Sequence, residues 1–212
     1  MKSHTKRRIL RVSGTLLILS GMTLLGWYGA SRVRTYLYQQ RRLADLNRQM
    51  MQPPARRAIV AAPREGALLG SVHIPRVGVS SVIIEGSDEQ DLALSVGHIP
   101  GTAIPGQDGN VALAAHRDSF FRGLEKIRQG DDILLTTPQG TQLYEVDSTR
   151  VVMPKDVYVL DDVGRPVLTL VTCYPFHFIG DAPQRFIVQA RLRGGPIASA
   201  AATARHDTGA RE

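Results

Sequence analysis

The chain contains a single cysteine, Cys173, whose position makes it a candidate nucleophile. It ends the strand-like run of residues 169–173, and Pro175 follows two positions later. The junction between a strand and a loop is a common place for a catalytic group, because the strand holds the side chain rigidly. A lone cysteine is also often only a small buried hydrophobic residue, so the position alone leaves both interpretations open.

A thiol nucleophile needs a partner that exchanges its proton and a group that stabilises negative charge on the substrate oxygen. His116 directly follows the strand-like run 111–115, and Arg185 opens another such run twelve positions after Cys173. Both residues therefore lie, like the cysteine, where a predicted strand meets a loop. If the strands are neighbours in the sheet, the three side chains converge on one end of it.

Three other histidines remain alternatives to His116 as the proton partner. His73 lies inside a strand pattern, where a histidine is usually structural. His98 lies in a loop rich in glycine and proline, and His177 is only four positions from Cys173. We prefer His116, and we keep His98 and His177 as the next candidates.

Charge is distributed unevenly along the 212 residues. Residues 1–66 carry 13 Lys or Arg and 2 Asp or Glu, whereas residues 67–192 carry 10 basic and 15 acidic residues. The net charge of +7 therefore arises in the N-terminal part, and the central part is acidic. Because a nucleic-acid-binding domain concentrates its cations on the domain itself, we expect no nucleic-acid partner.

Residues 12–31 form an uncharged, leucine-rich run of 20 residues that follows a basic head at residues 1–11. At about 1.5 Å per helical residue, this run matches the roughly 30 Å hydrocarbon core of a bilayer. We expect a single transmembrane anchor in the membrane lipid, with the basic head in the cytoplasm and the rest of the chain outside. A cleaved signal peptide, with a mature N-terminus near Ser31, is the alternative.

The remaining chain divides by composition into three parts. Residues 32–66 are typical of a stalk and linker, because Pro53 and Pro54 stop a helix. The roughly helical apolar spacing of residues 33–51 fits a solvated helical stalk and equally an interfacial helix on anionic lipid. Residues 67–192 are predicted to form the folded domain, and residues 193–212 a disordered tail.

Short strand patterns separated by turn signals dominate the folded domain. The candidate strands are residues 71–75, 80–85, 111–115, 132–136, 141–152, 167–172 and 185–192. Two short helices are predicted between them: residues 88–96, begun by a capping box of Ser87 and Gln90, and residues 120–127, capped by Ser119. This pattern predicts a mainly β fold that closes, or nearly closes, into a barrel.

The residues around these candidates resemble the class D sortases, a family of membrane-anchored cysteine transpeptidases. The resemblance is carried by residues 169–176 (TLVTCYPF), residues 180–185, the triplet His116-Arg117-Asp118 and residues 97–106. It implies an eight-stranded sortase β-barrel, preceded by the N-terminal transmembrane helix. Two positions depart from the family pattern: Ala115 replaces a frequent glycine, and His177 a frequent tyrosine.

The resemblance also implies the site and the reaction. Cys173 is implied as the nucleophile, His116 as its acid/base partner and Arg185 as the cation that positions the substrate and stabilises the oxyanion. Supporting or substrate-binding roles are expected for Thr172, which is equally well explained as a strand residue, and for Tyr174 and Pro175. The implied substrates are secreted proteins with a C-terminal sorting signal of the Leu-Pro-x-Thr-x type. Their acyl group passes through a thioester to an amine acceptor, either a cell-wall precursor or a protein.

Two other functions stay open: a cysteine hydrolase that uses water at the same site, and a non-catalytic, membrane-tethered barrel that binds peptides. No glycine-rich phosphate loop and no cluster with metal-ligand spacing occurs in the sequence, so we expect no cofactor and no metal. Glu85, Asp88 and Glu89 offer carboxylates for a cation such as calcium, but we prefer to interpret them as a solvated acidic helix start.

Overall fold

The computed structural model describes residues 2–51, 63–178 and 180–197, in two compact units, residues 1–40 and residues 41–212. The described residues of the first unit all belong to helix α1 (Lys2–Met51). This helix includes residues 33–51, for which the apolar spacing predicts a helix. Within the described ranges, no helix combines the length and the apolarity that crossing a bilayer requires. The predicted transmembrane helix at residues 12–31 is therefore not found.

The second unit contains a closed barrel of eight strands, which confirms the predicted mainly β architecture. The strands are β1 (Leu68–Ile74), β2 (Val79–Glu85), β3 (Val96–His98), β4 (Asn110–Ala114), β5 (Asp132–Thr137), β6 (Gly140–Val152), β7 (Val167–Tyr174) and β8 (Gln184–Ile197). Around the barrel they follow the order β1-β2-β3-β4-β7-β8-β6-β5. Neighbours are antiparallel except for the pairs β2–β3 and β4–β7. Each candidate strand is present, and β8 runs five residues beyond the predicted position 192.

The core forms where apolar side chains alternate along the strands. In β5, for example, Ile133 and Leu135 are buried, while Leu134 between them is half-buried. β4 differs, because four of its five residues are buried, as is typical of a strand in a parallel pair with both faces covered. Its parallel neighbour β7 has five of its eight residues buried.

The predicted helix at residues 88–96 is wrong in length. The helix α2 (Glu89–Leu92) has only four residues, and its N-cap is Asp88, without a side-chain capping bond. Val96 belongs instead to β3, which the strand patterns missed. Strand pairing with β2 overrides the local helix propensity here. The two backbones approach so closely that a Cβ on Gly97 would lie 2.2 Å from the carbonyl oxygen of Gly86.

The second predicted helix, residues 120–127, is a shorter 3-10 helix at Arg122–Lys126. Its N-cap is Phe121, not Ser119, and the cap makes no side-chain bond. Phe121 is buried, and a Cβ on Gly123 would lie 2.3 Å from the carbonyl oxygen of Val77. The segment is thus held by packing against another turn. The linker residues 52–62 and the tail residues 198–212 lie outside the described residues.

One buried carboxylate fastens the start of β5 to the turn after β1. Asp131 accepts hydrogen bonds from Nε and Nη2 of Arg76, the latter at 2.6 Å, and from the backbone N–H of Arg128 at 2.7 Å. The hydrogen bonds from Arg76 are the largest cause that lowers the pKa of Asp131 below its ordinary value of 3.8. The ionised form of Asp131 therefore stabilises the fold.

We expect Asp131→Asn to lower the free energy of unfolding at neutral pH by about 1–3 kcal/mol, the range for a lost buried hydrogen-bonding group. Since the folded pKa is depressed, the stabilisation is present above 3.8 and is lost as the pH falls through the folded value. The difference between wild type and variant should therefore shrink below that pH. Chemical denaturation across the acid range measures it, with the exposed neighbour Asp132→Asn as the control. A pH-independent difference would contradict this account.

Candidate active site

Cys173 lies on β7, near the end of the strand, with a half-buried side chain. β7 has β4 as its parallel neighbour on one side and β8 as its antiparallel neighbour on the other. In the antiparallel pair, Cys173 stands directly opposite Arg185. Directly opposed residues in such a pair have Cβ atoms about 4.5–5.5 Å apart, so the thiol and the guanidinium stem share one face of the sheet.

His116 follows β4 and reaches the same position from the other side. The parallel register pairs Ala114 with Val171, and the N–H of Ala115 donates to the carbonyl oxygen of Val171 at 3.2 Å. Two residues beyond the paired Ala114 and Val171 lie His116 and Cys173, respectively. The side chain of His116 is half-buried, and its carbonyl oxygen accepts from the N–H of Phe121 at 3.2 Å, which turns the chain away after the histidine.

Arg185 is oriented by backbone carbonyls and not by a carboxylate. Its Nη1 donates to the carbonyl oxygens of Ala182 at 3.1 Å and Gln184 at 3.0 Å. Across the described part of the chain, Arg185 takes part in no ion pair, whereas Arg191 on the same strand bonds Glu145 at 2.6 Å. No carboxylate of the described residues therefore neutralises its positive charge.

The strand order β4-β7-β8 thus puts the end of β4, which leads to His116, on one side of β7, and Arg185 opposite Cys173 on the other. A thiol between an imidazole and an unneutralised guanidinium can attack a carbonyl carbon, because the histidine exchanges protons and the arginine stabilises the resulting oxyanion. The arrangement is suited to acyl transfer through a thioester.

Comparison with known proteins agrees with this geometry. A family model of the sortase domain matches residues 72–193. The chain belongs to the sortase family. Sortases are cysteine transpeptidases that anchor proteins to the cell wall, acting on proteins with sorting signals and on amine acceptors such as cell-wall precursors.

Individual sortases extend the comparison. Sortase D of Bacillus subtilis is 27% identical over 193 residues, which cover 85% of this chain and 98% of that protein. Sortase A of Streptococcus agalactiae is 31% identical over 134 residues, which cover 59% of this chain and 53% of that protein. The solved Sortase D5 transpeptidase of Clostridium perfringens has a TM-score of 0.67 at 29% identity, covering 74% of this chain and 99% of that one. The resemblance to class D sortases is confirmed.

The residues next to Cys173 in this sortase have distinct surroundings. The hydroxyl of Thr172, which is buried, donates to the carbonyl oxygen of Ala115 at 2.7 Å and so joins the end of β7 to the residue before His116. Tyr174 lies among aromatic rings, 6.0 Å from Phe176 and 6.1 Å from Phe186 between centroids. The peptide bond between Tyr174 and Pro175 is cis. Supporting roles for Thr172, Tyr174 and Pro175 stay predictions.

The alternative histidines do not join the site in the same way. His98 is buried on β3, where Nδ1 lies 2.6 Å from Glu85 Oε2 and Nε2 lies 3.0 Å from the carbonyl oxygen of Ala103. His98 is therefore a structural residue of the barrel. The prediction that it lies in a loop is wrong. His73 is exposed on β1, and His177 is exposed and lies 2.9 Å from Glu125 Oε1.

The acidic cluster weighed as a calcium site is divided by the fold. Glu85 is buried against His98, while Asp88 caps α2 and Glu89 begins it. No group of three or more His, Cys, Asp or Glu residues suited to a metal ion occurs in the ranges that the structure describes.

Arg117, part of the triplet that follows β4, makes contacts near the site that the sequence does not predict. Its Nη2 donates to the carbonyl oxygens of Phe178 at 2.8 Å and Gly180 at 2.9 Å, so it connects the loop after His116 with the loop after Cys173. Its partners are backbone oxygens, which every residue carries. The sequence therefore holds no signal for the contact beyond the adjacency of Arg117 to His116.

Proposed function

We propose that this sortase cleaves a C-terminal sorting signal of the Leu-Pro-x-Thr-x type and transfers the acyl group to an amine. Cys173 is the nucleophile, His116 the acid/base partner and Arg185 the oxyanion-stabilising cation. The observation that carries the assignment is the register: Cys173 pairs with Arg185, and the β4–β7 register continued from Ala114 and Val171 reaches His116.

In the first half of the reaction, the thiolate of Cys173 attacks the carbonyl carbon of the signal threonine and an S–C bond forms. Arg185 stabilises the negative charge on the oxygen, since a guanidinium stays protonated throughout. As the C–N bond breaks, the imidazolium of His116 gives its proton to the leaving amine. The product is a thioester on Cys173.

In the second half, the neutral imidazole of His116 takes a proton from the acceptor amine as its nitrogen attacks the thioester. The C–S bond breaks, a new amide forms, and the thiolate and imidazolium are restored. Water in place of the amine gives the free acid.

Incubation of the full chain with a signal peptide, with and without an added amine, separates the three candidate functions by the mass of the products. A transpeptidase yields the new amide, a hydrolase only the acid, and a non-catalytic peptide-binding barrel leaves the peptide intact.

Arg185→Ala is expected to lower kcat/KM for a signal peptide by at least about 10²-fold, the effect of removing one oxyanion-stabilising group. Arg185→Lys keeps the charge but not the planar fork, so it should recover only part of the loss. Steady-state cleavage of both variants measures the effect, with thermal unfolding as the folding control. Near-normal cleavage by Arg185→Ala would remove Arg185 from the mechanism.

The proposal also covers location and partners. We place the catalytic unit outside the cytoplasm, held to the membrane lipid through the N-terminal part of α1, where it meets secreted proteins and a cell-wall or protein amine acceptor. The support is the uncharged run of residues 12–31 after a basic head, together with the exposed apolar side chains of Leu17, Leu24 and Trp27. Recovery of the full chain in the soluble fraction, without detergent, would contradict this location.

A further inference from the structure

The residue before His116 is bonded to the strand that carries the nucleophile. The carbonyl oxygen of Ala115 accepts a hydrogen bond from the hydroxyl of Thr172 at 2.7 Å, and both residues are buried. The N–H of Ala115 donates to the carbonyl oxygen of Val171 at 3.2 Å. Both backbone polar groups of Ala115 are therefore bonded to β7, in the two residues that precede Cys173.

The residue after His116 is bonded to the loop that follows the nucleophile. Nη2 of Arg117, a half-buried residue, donates to the carbonyl oxygens of Phe178 at 2.8 Å and Gly180 at 2.9 Å. Hydrogen bonds from a charged donor are roughly twice as strong as those between neutral groups. His116 thus lies between two residues that are each bonded to the segment around Cys173, one before the thiol and one after it.

Another link between the same two loops is exposed to water. Nε2 of His177 lies 2.9 Å from Oε1 of Glu125, and 73% and 39% of the two side chains are exposed. Exposed pairs of this kind contribute little, because water and salt screen them. Arg117 therefore provides the stronger of the two links.

The imidazole of His116 has no orienting partner of its own. Within the part of the chain that the structure describes, its ring nitrogens make no hydrogen bond and no ion pair. The position of the ring therefore depends on how the backbone is held on either side of His116. Proton transfer needs the exchanging atoms within hydrogen-bond reach, and a displacement of about 1 Å costs on the order of 10²-fold in rate.

We propose that Arg117 is a positioning residue for His116. By holding the chain after the histidine to the loop beyond Cys173, it keeps the imidazole within reach of the leaving amine and of the acceptor amine. Arg117 itself neither binds the substrate nor transfers a proton. This inference rests on the proposed function, in which His116 is the acid/base partner. It predicts a loss in kcat and not in KM, because the substrate still binds when the imidazole is displaced.

A double-mutant cycle on the full chain separates this role from others. Arg117→Met keeps the apolar stem and removes the donors. In the wild-type background we expect it to lower kcat for a signal peptide by about tenfold and to leave KM within about twofold. In the His116→Ala background no imidazole remains to be positioned, so the same change should alter the rate by less than about twofold. Added imidazole keeps cleavage measurable in that background.

The matched controls lie on the same loop. Arg122→Met is the same substitution at an exposed arginine, and Glu125→Gln removes the carboxylate of the exposed link. Both should stay within about twofold of wild type. Arg117→Lys keeps a cationic donor without the planar fork and should recover part of the loss. Thermal unfolding shows whether each variant is folded, and Arg117→Lys takes the place of Arg117→Met in the cycle if the latter is not.

An equal fall in both backgrounds would show that Arg117 acts independently of His116, and a change in KM alone would show that it binds the substrate. Either result, or an unchanged kcat in Arg117→Met, overturns the inference and leaves the proposed function intact. If His116→Ala cleaves the peptide at the wild-type rate, the acid/base assignment of the proposed function fails, and the inference fails with it.

Discussion

Replacing Cys173 by alanine is expected to lower kcat for a signal peptide by at least about 10⁴-fold, the scale seen when a covalent nucleophile is removed. The chain has no other cysteine, so no second thiol can substitute for it. The side chain is only half-buried, and the smaller residue should leave the barrel folded. Steady-state cleavage of a Leu-Pro-x-Thr-x peptide, followed by chromatography of both products, measures the loss.

Cys173→Ser is the matched variant for this prediction. It keeps a nucleophilic atom of similar size, but a hydroxyl is far less ionised than a thiol, so it should remain almost as inactive as the alanine variant. Cleavage by Cys173→Ala at a tenth of the wild-type rate or more would show that the barrel works without a covalent intermediate.

His116→Ala should lower kcat/KM by about 10²–10⁴-fold, the usual contribution of a positioned general acid and base. The loss falls on both halves of the reaction, because the same imidazole protonates the leaving amine and deprotonates the acceptor. Added imidazole should restore part of the activity by entering the space that the side chain leaves. The measurement is cleavage with and without imidazole.

The control for this variant is His73→Ala, an exposed position on β1, which should retain wild-type activity. Near-normal cleavage by His116→Ala would move the acid/base role to another histidine. His177 would then be the first candidate, since both ring nitrogens of His98 already face Glu85, Ala103 and Thr102 inside the barrel.

The strands and the ends of strands were predictable because their signals are local. Alternation of apolar residues and turn signals placed seven of the eight strands, and with them the strand ends that carry His116, Cys173 and Arg185. β3 was not predicted, because three residues are too few to show an alternation with a period of two. An apparent capping box also led to the prediction that Val96 belongs to a helix. A side chain at position 97 would clash with the backbone of Gly86, so β3 can pack there because residue 97 is a glycine.

The assembly of the site was less predictable, because it depends on pairing between distant strands. That Cys173 faces Arg185 follows from the β7–β8 register, and the proximity of His116 follows from a parallel pairing across 57 positions. The burial of His98 against Glu85 and the contacts of Arg117 with loop carbonyls depend equally on nonlocal geometry. No spacing in the sequence predicts either the His98–Glu85 contact or the contacts of Arg117.

The central claim, that this sortase works through a thioester on Cys173, is tested most directly by the mass of the intact protein. The full chain is incubated with a signal peptide without added amine, quenched in acid and weighed, and the modified residue is located by proteolysis. The account predicts a mass increase equal to the acyl part of the peptide, located on Cys173 and absent in Cys173→Ala. Peptide cleavage without any adduct, or the same adduct in Cys173→Ala, would contradict it.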